Sequence, residues 1–147
     1  MAAKRKATAT WTGDLATGNG NIDLTSSGAV TGLPVSWAAR TETAAGGKTS
    51  PEELIAAAFA ACYCMALSAG LGRAGNKPER LHVEATSTFE KVDQGFAFTT
   101  LDLRVRGKVP GIDQAKFRQA ADDASRNCPV SKALEGNVNV SVQAELE

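Results

Sequence analysis

The 147-residue chain has no surplus of either charge, because 16 lysines and arginines balance 16 aspartates and glutamates. Binding to a phosphate backbone usually needs a basic surplus, so this balance argues against a general nucleic-acid binder. The N-terminus becomes polar at once and lacks the apolar stretch of a secretory signal. We therefore expect a cytoplasmic protein that binds neither nucleic acid nor a membrane.

Histidine and cysteine are also scarce. The single histidine, His82, falls in a predicted strand, where we expect a partly exposed residue rather than a catalytic base. Three cysteines do not make a disulfide scaffold. Cys62 and Cys64 are two residues apart and point to different sides of a predicted helix, which disfavours a metal site. We expect neither a metal nor a cofactor.

Only one long apolar run is present, SPEELIAAAFAACYCMALSAGL at residues 50–71. It begins as a helix should, with Thr49 or Ser50 as the N-cap and Pro51 in the first turn. Acids at its start and glycines at its end favour a central, mostly buried helix over a membrane span. Helical spacing predicts the following buried face: Leu54, Ile55, Ala58, Cys62, Met65, Ala66 and Ala69.

The rest of the chain alternates strand and helix signals. The first third predicts short strands joined by turns, and residues 81–109 predict a long hairpin with a bulge near Thr99 and Thr100. A second helix follows from the cap residue Asp113 to Ala124, then a short helix and a last strand at residues 138–146. This order predicts an α+β fold of antiparallel sheets in a single domain, residues 1–147, without repeats.

The cysteines are the candidate reactive groups. Cys128 stands at the predicted start of the short helix, and a helix N-terminus can stabilise a thiolate. Cys62, in the middle of a helix, would need a nearby cation to become reactive. From the pattern alone, a buried structural role stays open for Cys62 and Cys64.

Two motifs carry a resemblance. TSPEELIAAA at residues 49–58, followed by AAC at residues 60–62, and NCPVSKAL at residues 127–134 resemble the OsmC family of osmotically inducible and organic-hydroperoxide-resistance proteins, in particular its osmotically inducible branch. The resemblance implies an OsmC-like fold with a long central helix and a second helix. It also implies an intertwined homodimer with active sites at the subunit interface. The implied activity is a thiol-dependent peroxidase that reduces organic hydroperoxides to alcohols in oxidative and osmotic stress defence.

The resemblance also assigns roles to residues. Cys62 matches the peroxidatic cysteine, Cys128 the resolving cysteine and Glu52 the carboxylate at the helix start. Arg40 resembles the arginine that holds the thiolate and the peroxide. The implied reductant is an external dithiol, of the lipoyl type in family members. We interpret Cys64 as a packed core thiol in preference to an alternative resolving partner.

Helix geometry constrains these roles. Glu52 precedes Cys62 by ten residues, which is about 15 Å along a straight helix. If both serve one site, either Arg40 bridges that gap or Glu52 comes from a second chain. The second possibility fits an interlocked dimer.

Two other functions remain open at this point. The chain could be a non-catalytic dimeric ligand-binding module whose cysteines only pack, or a thiol redox sensor that acts on a partner protein. Apolar residues near the cysteines would favour organic peroxides over hydrogen peroxide or would simply form the core; they are Phe59, Met65, Phe96 and Phe98.

Overall fold

The computed structural model describes residues 2–42 and 46–147. The small-residue sequence from Glu42 to Lys48 predicts a loop before the long helix, and Thr43, Ala44 and Ala45 of that loop lie outside the described residues. The described elements confirm an α+β fold. In chain order they are β1 Thr8–Thr12, β2 Asn19–Asp23, β3 Leu33–Val35, α1 Ala38–Thr41, α2 Pro51–Arg73, β4 Arg80–Val92, β5 Gly95–Lys108, α3 Gln114–Asn127, α4 Pro129–Leu134 and β6 Asn139–Leu146. They divide into two compact units, residues 1–54 and 55–147. The single-domain expectation stays a prediction.

The first unit contains a small antiparallel sheet in the order β1-β2-β3. Gly20 of β2 is required at its position, because an added Cβ would lie 2.7 Å from the Thr10 carbonyl oxygen. After β3 the chain turns once as α1, so Arg40 lies in a helical turn, where the sequence predicts a loop leading to α2. The Thr49 N–H then donates to the Pro34 carbonyl at 2.9 Å, which attaches the start of α2 to the end of this sheet.

The second unit contains a three-stranded sheet in the order β4-β5-β6. The predicted hairpin forms β4 and β5, and its register shifts where Thr88 pairs with Thr100 while Phe89 pairs with Phe98. Thr99 is thus the extra residue of the expected bulge. The expectation of purely antiparallel sheets is wrong for β6, which runs parallel to β5. The helices between the two strands form a crossover long enough for parallel pairing.

The buried face of α2 differs from the predicted one. The helix presents Phe59, Tyr63 and Leu67 to the core, each fully buried, whereas Met65 is 71% exposed. Alanines on every side of the helix remove the polar contrast that normally distinguishes a buried face from an exposed one. The pattern therefore predicts a buried face about a third of a turn away from the observed one. The core consists of Phe59, Tyr63, Leu67, Leu71, Leu101, Leu103, Val105, Val109, Phe117, Ala124 and Cys128.

Helix α2 is only partly buried in the single chain, contrary to the expectation. Ala57, Ala58 and Ala61 are exposed on the face that also carries Met65. By length and composition alone, α2 could cross a membrane, but the core helix of a soluble protein meets the same two criteria. An exposed apolar helix face of this kind is typical of a surface that contacts another molecule.

Helix α3 packs on the sheet through one close contact. Its N-cap is Asp113, whose carboxylate accepts from the Lys116 N–H at 2.8 Å, as predicted. One turn into the helix, the ring of Phe117 covers Gly107 of β5, and an added Cβ on Gly107 would lie 2.4 Å from the Phe117 Cζ. Only a residue without a side chain allows this approach.

We therefore expect Gly107→Ala to lower the free energy of unfolding by about 1–3 kcal/mol, because Phe117 must move to make room. Urea denaturation followed by circular dichroism measures the change. Gly72→Ala is the control, since an added Cβ there meets no described atom within 4 Å. The control should be neutral or stabilising by up to about 1 kcal/mol. Equal stability of Gly107→Ala and wild type would contradict the packing described here.

Candidate active site

The N-terminus of α2 carries a cluster of buried polar residues. Of the two predicted caps, Ser50 is the one that satisfies the helix, because its Oγ accepts from the Glu53 N–H at 3.1 Å. The Thr49 hydroxyl donates to the Glu53 carboxylate instead. Thr49 and Ser50 are both buried, and Glu52 beside them is only 6% exposed. A carboxylate at this depth needs a charged partner.

Arg40 is that partner. Its Nε donates to Glu52 Oε2 at 3.1 Å and its Nη2 donates to Glu52 Oε1 at 2.6 Å, a two-pronged pairing. The Arg40 side chain is 28% exposed and the Glu52 side chain 8%, so the pair is not a freely solvated surface ion pair. The ring of Trp37 lies 5.4 Å from the guanidinium carbon. Carboxylate and ring together fix the plane of the guanidinium.

In the second unit, the structure brings Cys62 and Cys128 together. Cys128 is fully buried at the junction of α3 and α4, where its N–H donates to the Ala124 carbonyl at 2.8 Å. Its own carbonyl accepts from the Lys132 N–H at 3.1 Å, so the backbone on both sides is held. Cys62 is half-buried on α2 and packs against the same core. Both thiols are free.

Burial dominates the electrostatics of Cys128. It raises the pKa of the thiol above its ordinary value, while N–H groups of Ser131 and Val130 at the start of α4 act in the opposite direction. The side chain of Cys62 interacts with that of Cys128 and raises the pKa of Cys128 further. The helix start therefore does not produce a thiolate here, and Cys128 is a neutral thiol at neutral pH.

Cys64 is not the packed core thiol that the sequence indicated. It is half-buried, and it lies in a shallow surface depression with Met65 and Arg80. Partial burial raises the pKa of its thiol. His82 is exposed on β4, as predicted. Among residues 2–42 and 46–147, no group of three or more His, Cys, Asp or Glu side chains could hold a metal ion.

Sequence reasoning missed one residue near the cysteines. Tyr63 is fully buried, and its hydroxyl donates to the Ala121 carbonyl at 2.7 Å. The helical spacing of Phe59, Tyr63 and Leu67 could have located it, because large side chains at these intervals outweigh the alanines as a packing signal.

Comparison with known proteins identifies the family. The model of the family described as OsmC-like protein matches residues 44–143. This chain belongs to the OsmC-like family. It is 40% identical over 143 residues to Peroxiredoxin OsmC of Escherichia coli strain K12, covering 97% of this chain and 98% of that protein. It is 33% identical over 100 residues to an organic hydroperoxide resistance protein of Xanthomonas axonopodis pv. citri, covering 67% of this chain and 68% of that protein.

The fold agrees with this assignment. The crystal structure of the organic hydroperoxide resistance protein OhrB of Bacillus subtilis superposes with a TM-score of 0.71 at 27% identity, covering 95% of this chain and 98% of that chain. The OsmC-like match includes Glu52, Cys62 and Cys128, whereas Arg40 precedes it. Arg40 therefore contacts the matched region through its ion pair with Glu52.

The raised pKa of Cys128 predicts a pH profile. In the double variant Cys62→Ser, Cys64→Ser, Cys128 is the only thiol, so the absorbance at 240 nm reports the Cys128 thiolate once the tyrosinate contribution of Tyr63, measured at 295 nm, is subtracted. Because burial opposes ionisation, we expect the absorbance to rise only above the pH range of an ordinary cysteine. The unfolded variant in urea should titrate in the ordinary range. A folded-state midpoint at or below that of the unfolded variant would contradict the assignment.

Proposed function

We propose that this OsmC-like protein is a thiol peroxidase that reduces organic hydroperoxides to alcohols in stress defence. The observation that carries the proposal is the juxtaposition of Cys62 on α2 with the buried thiol of Cys128. The names of the relatives, a peroxiredoxin and organic hydroperoxide resistance proteins, support an enzyme of the peroxidase class. We further propose that the whole chain, residues 1–147, acts as one OsmC-like domain in the cytoplasm.

The chemistry needs two thiols of different character. The Cys62 thiolate attacks the distal oxygen of the hydroperoxide, the O–O bond breaks, and the alkoxide leaves and takes up a proton to become the alcohol. Cys62 is then a sulfenic acid. The Cys128 sulfur attacks the Cys62 sulfur, a disulfide forms, and the sulfenic hydroxyl leaves as water with the proton of Cys128. Disulfide formation protects Cys62 from irreversible oxidation to sulfinic acid.

An external dithiol completes the cycle by thiol–disulfide exchange, which regenerates both thiols and leaves the reductant as a disulfide. We propose a small or lipoyl-type dithiol as this reductant. The organic hydroperoxide and the dithiol are then the two substrates, and no resident cofactor is needed, because the electrons pass through the protein's own sulfurs.

We assign Arg40 the role of binding the peroxide and stabilising negative charge on the attacking sulfur and the leaving oxygen. A guanidinium remains charged at any working pH and offers several donors in one plane. Glu52 and Trp37 fix that plane, so the donors need little reorganisation when the charge develops. This function differs from that of a surface ion pair, because the pairing orients the guanidinium rather than only stabilising the fold.

We propose that the working unit is a homodimer. The exposed apolar face of α2, with Ala57, Ala58, Ala61 and Met65, supports a second copy of the chain as its cover. Since Glu52 and Cys62 are ten residues apart on one helix, about 15 Å, the Arg40–Glu52 pair of one chain would serve Cys62 of the other. Active sites would then lie at the subunit interface.

Turnover separates this proposal from a ligand-binding module and from a redox sensor. Purified protein should consume cumene hydroperoxide with dihydrolipoamide or dithiothreitol as reductant. Cys62→Ser should abolish consumption, and Cys128→Ser should lose activity progressively as Cys62 over-oxidises. Cys64→Ser is the matched control and should retain activity, because Cys64 takes no part in the cycle. Absence of turnover by the wild type with both dithiols would refute the proposal.

A mixed dimer tests the sharing of the site. One chain carries Cys62→Ser and the other Glu52→Ala. If each site uses Cys62 of one chain and Glu52 of the other, one site of the mixed dimer is intact, and about half of the wild-type activity should return. If each chain holds its own complete site, both sites are damaged and activity should stay at the level of the Glu52→Ala protein or below.

A further inference from the structure

Tyr63 is a buried titratable group that the proposed cycle does not use. It follows Cys62 directly in α2 and is the only tyrosine of the chain. Its ring packs edge-on against Phe59, with the ring centroids 6.3 Å apart, and its hydroxyl donates to the Ala121 carbonyl of α3 at 2.7 Å. This hydrogen bond joins the helix that carries Cys62 to the helix that leads to Cys128.

The accepting carbonyl lies on the helix that leads to the resolving cysteine. Ala121 is one turn before Ala124, and the Ala124 carbonyl accepts from the Cys128 N–H at 2.8 Å. Tyr63 is therefore hydrogen-bonded to the first residue of the turn 121–124 of α3, and the last residue of that turn accepts the hydrogen bond from the Cys128 N–H. Burial raises the pKa of the phenol, as do the nearby Asp122, Cys128 and Cys64, so Tyr63 remains a neutral donor throughout the working pH range.

Stability alone does not require this hydroxyl. Ala121 lies inside α3, which runs from Gln114 to Asn127, so its carbonyl also faces an N–H donor one turn further along the helix. A phenylalanine ring would fill the same space without a polar group to satisfy. The hydroxyl adds a directional hydrogen bond between α2 and α3. Such a bond fixes the relative position of the two helices more sharply than apolar packing does.

We propose that Tyr63 is a positioning residue for the resolving step. Its hydrogen bond holds the Cys128 sulfur within reach of Cys62 once Cys62 is a sulfenic acid. The step itself forms the Cys62–Cys128 disulfide and releases one water. The inference rests on the proposed function, since it assigns Tyr63 to the second half of the same cycle. It separates the two halves: Tyr63 governs disulfide formation and leaves the attack on the peroxide unchanged.

Tyr63→Phe is the direct test, because it keeps the ring and deletes only the hydroxyl. In a single turnover with cumene hydroperoxide, we expect sulfenic acid to form at the wild-type rate, trapped by dimedone. Disulfide formation should be slower by roughly fivefold or more, because correct placement of reacting groups dominates such rates. At equal peroxide, mass spectrometry should find more sulfinic acid on Cys62 than in the wild type.

A stability control distinguishes positioning from loosening of the core. Val105→Ala removes buried side-chain volume from β5 and leaves the tyrosine link intact, so it lowers stability without changing the link. We expect it to resolve at the wild-type rate. The inference is overturned if Tyr63→Phe forms the disulfide as fast as wild type, or if Val105→Ala slows it equally.

Two measurements keep the inference separable from the proposed function. Diamide converts two neighbouring thiols to a disulfide without peroxide and is itself reduced to the hydrazine, so Tyr63→Phe should also slow this oxidation. A protein that does not react with peroxide but shows the diamide effect would refute the peroxidase proposal and retain the positioning role of Tyr63.

In wild-type protein labelled with 3-fluorotyrosine, the single fluorine resonance should shift when the disulfide forms. An unchanged resonance would contradict the link.

Discussion

The packing of one stripe of α2 against the β4-β5-β6 sheet and α3 is the constraint on which the rest depends. Phe59, Tyr63 and Leu67 fill the core at helical spacing. That orientation turns Cys62 toward the junction of α3 and α4, where Cys128 is buried. A rotation of α2 by a third of a turn, as the alanine pattern indicated, would bury Met65 and remove Tyr63 and Leu67 from the core.

The two cysteines differ because the same core surrounds them unequally. Cys128 is fully buried, so its thiol is held neutral and is protected from direct reaction with peroxide. Cys62 is half-buried, and it is the thiol proposed to react with the substrate. The cation proposed to assist it, Arg40, is held in one plane by Glu52 and Trp37. In the proposed cycle, burial thus sets the order of the two sulfur reactions, and the ion pair supplies a fixed positive charge.

Much of the fold could be predicted from local signals. The Pro51 start of α2, the Asp113 cap, the bulge at Thr99 and the position of Cys128 before α4 all follow from backbone preferences that act within a few residues. What failed depended on contacts distant in sequence. The alanines of α2 do not distinguish a buried face, and the parallel direction of β6 depends on the crossover.

The candidate site shows the same division. Motifs located Cys62, Cys128, Glu52 and Arg40, but the Arg40–Glu52 contact depends on the helical turn α1, which is too short to give a periodic signal. The link from Tyr63 to Ala121 spans 58 residues of sequence, and no local pattern encodes it. The residues proposed to react could be found by motif, whereas the contacts proposed to position them required the fold.

The most direct test of the account is the identity of the disulfide made by peroxide. The reduced protein is treated with one equivalent of cumene hydroperoxide, blocked with iodoacetamide and mapped by mass spectrometry without reduction. We expect one linkage, Cys62 to Cys128, with Cys64 recovered in the alkylated form. A linkage that includes Cys64, or recovery of all three cysteines as alkylated thiols, would contradict it.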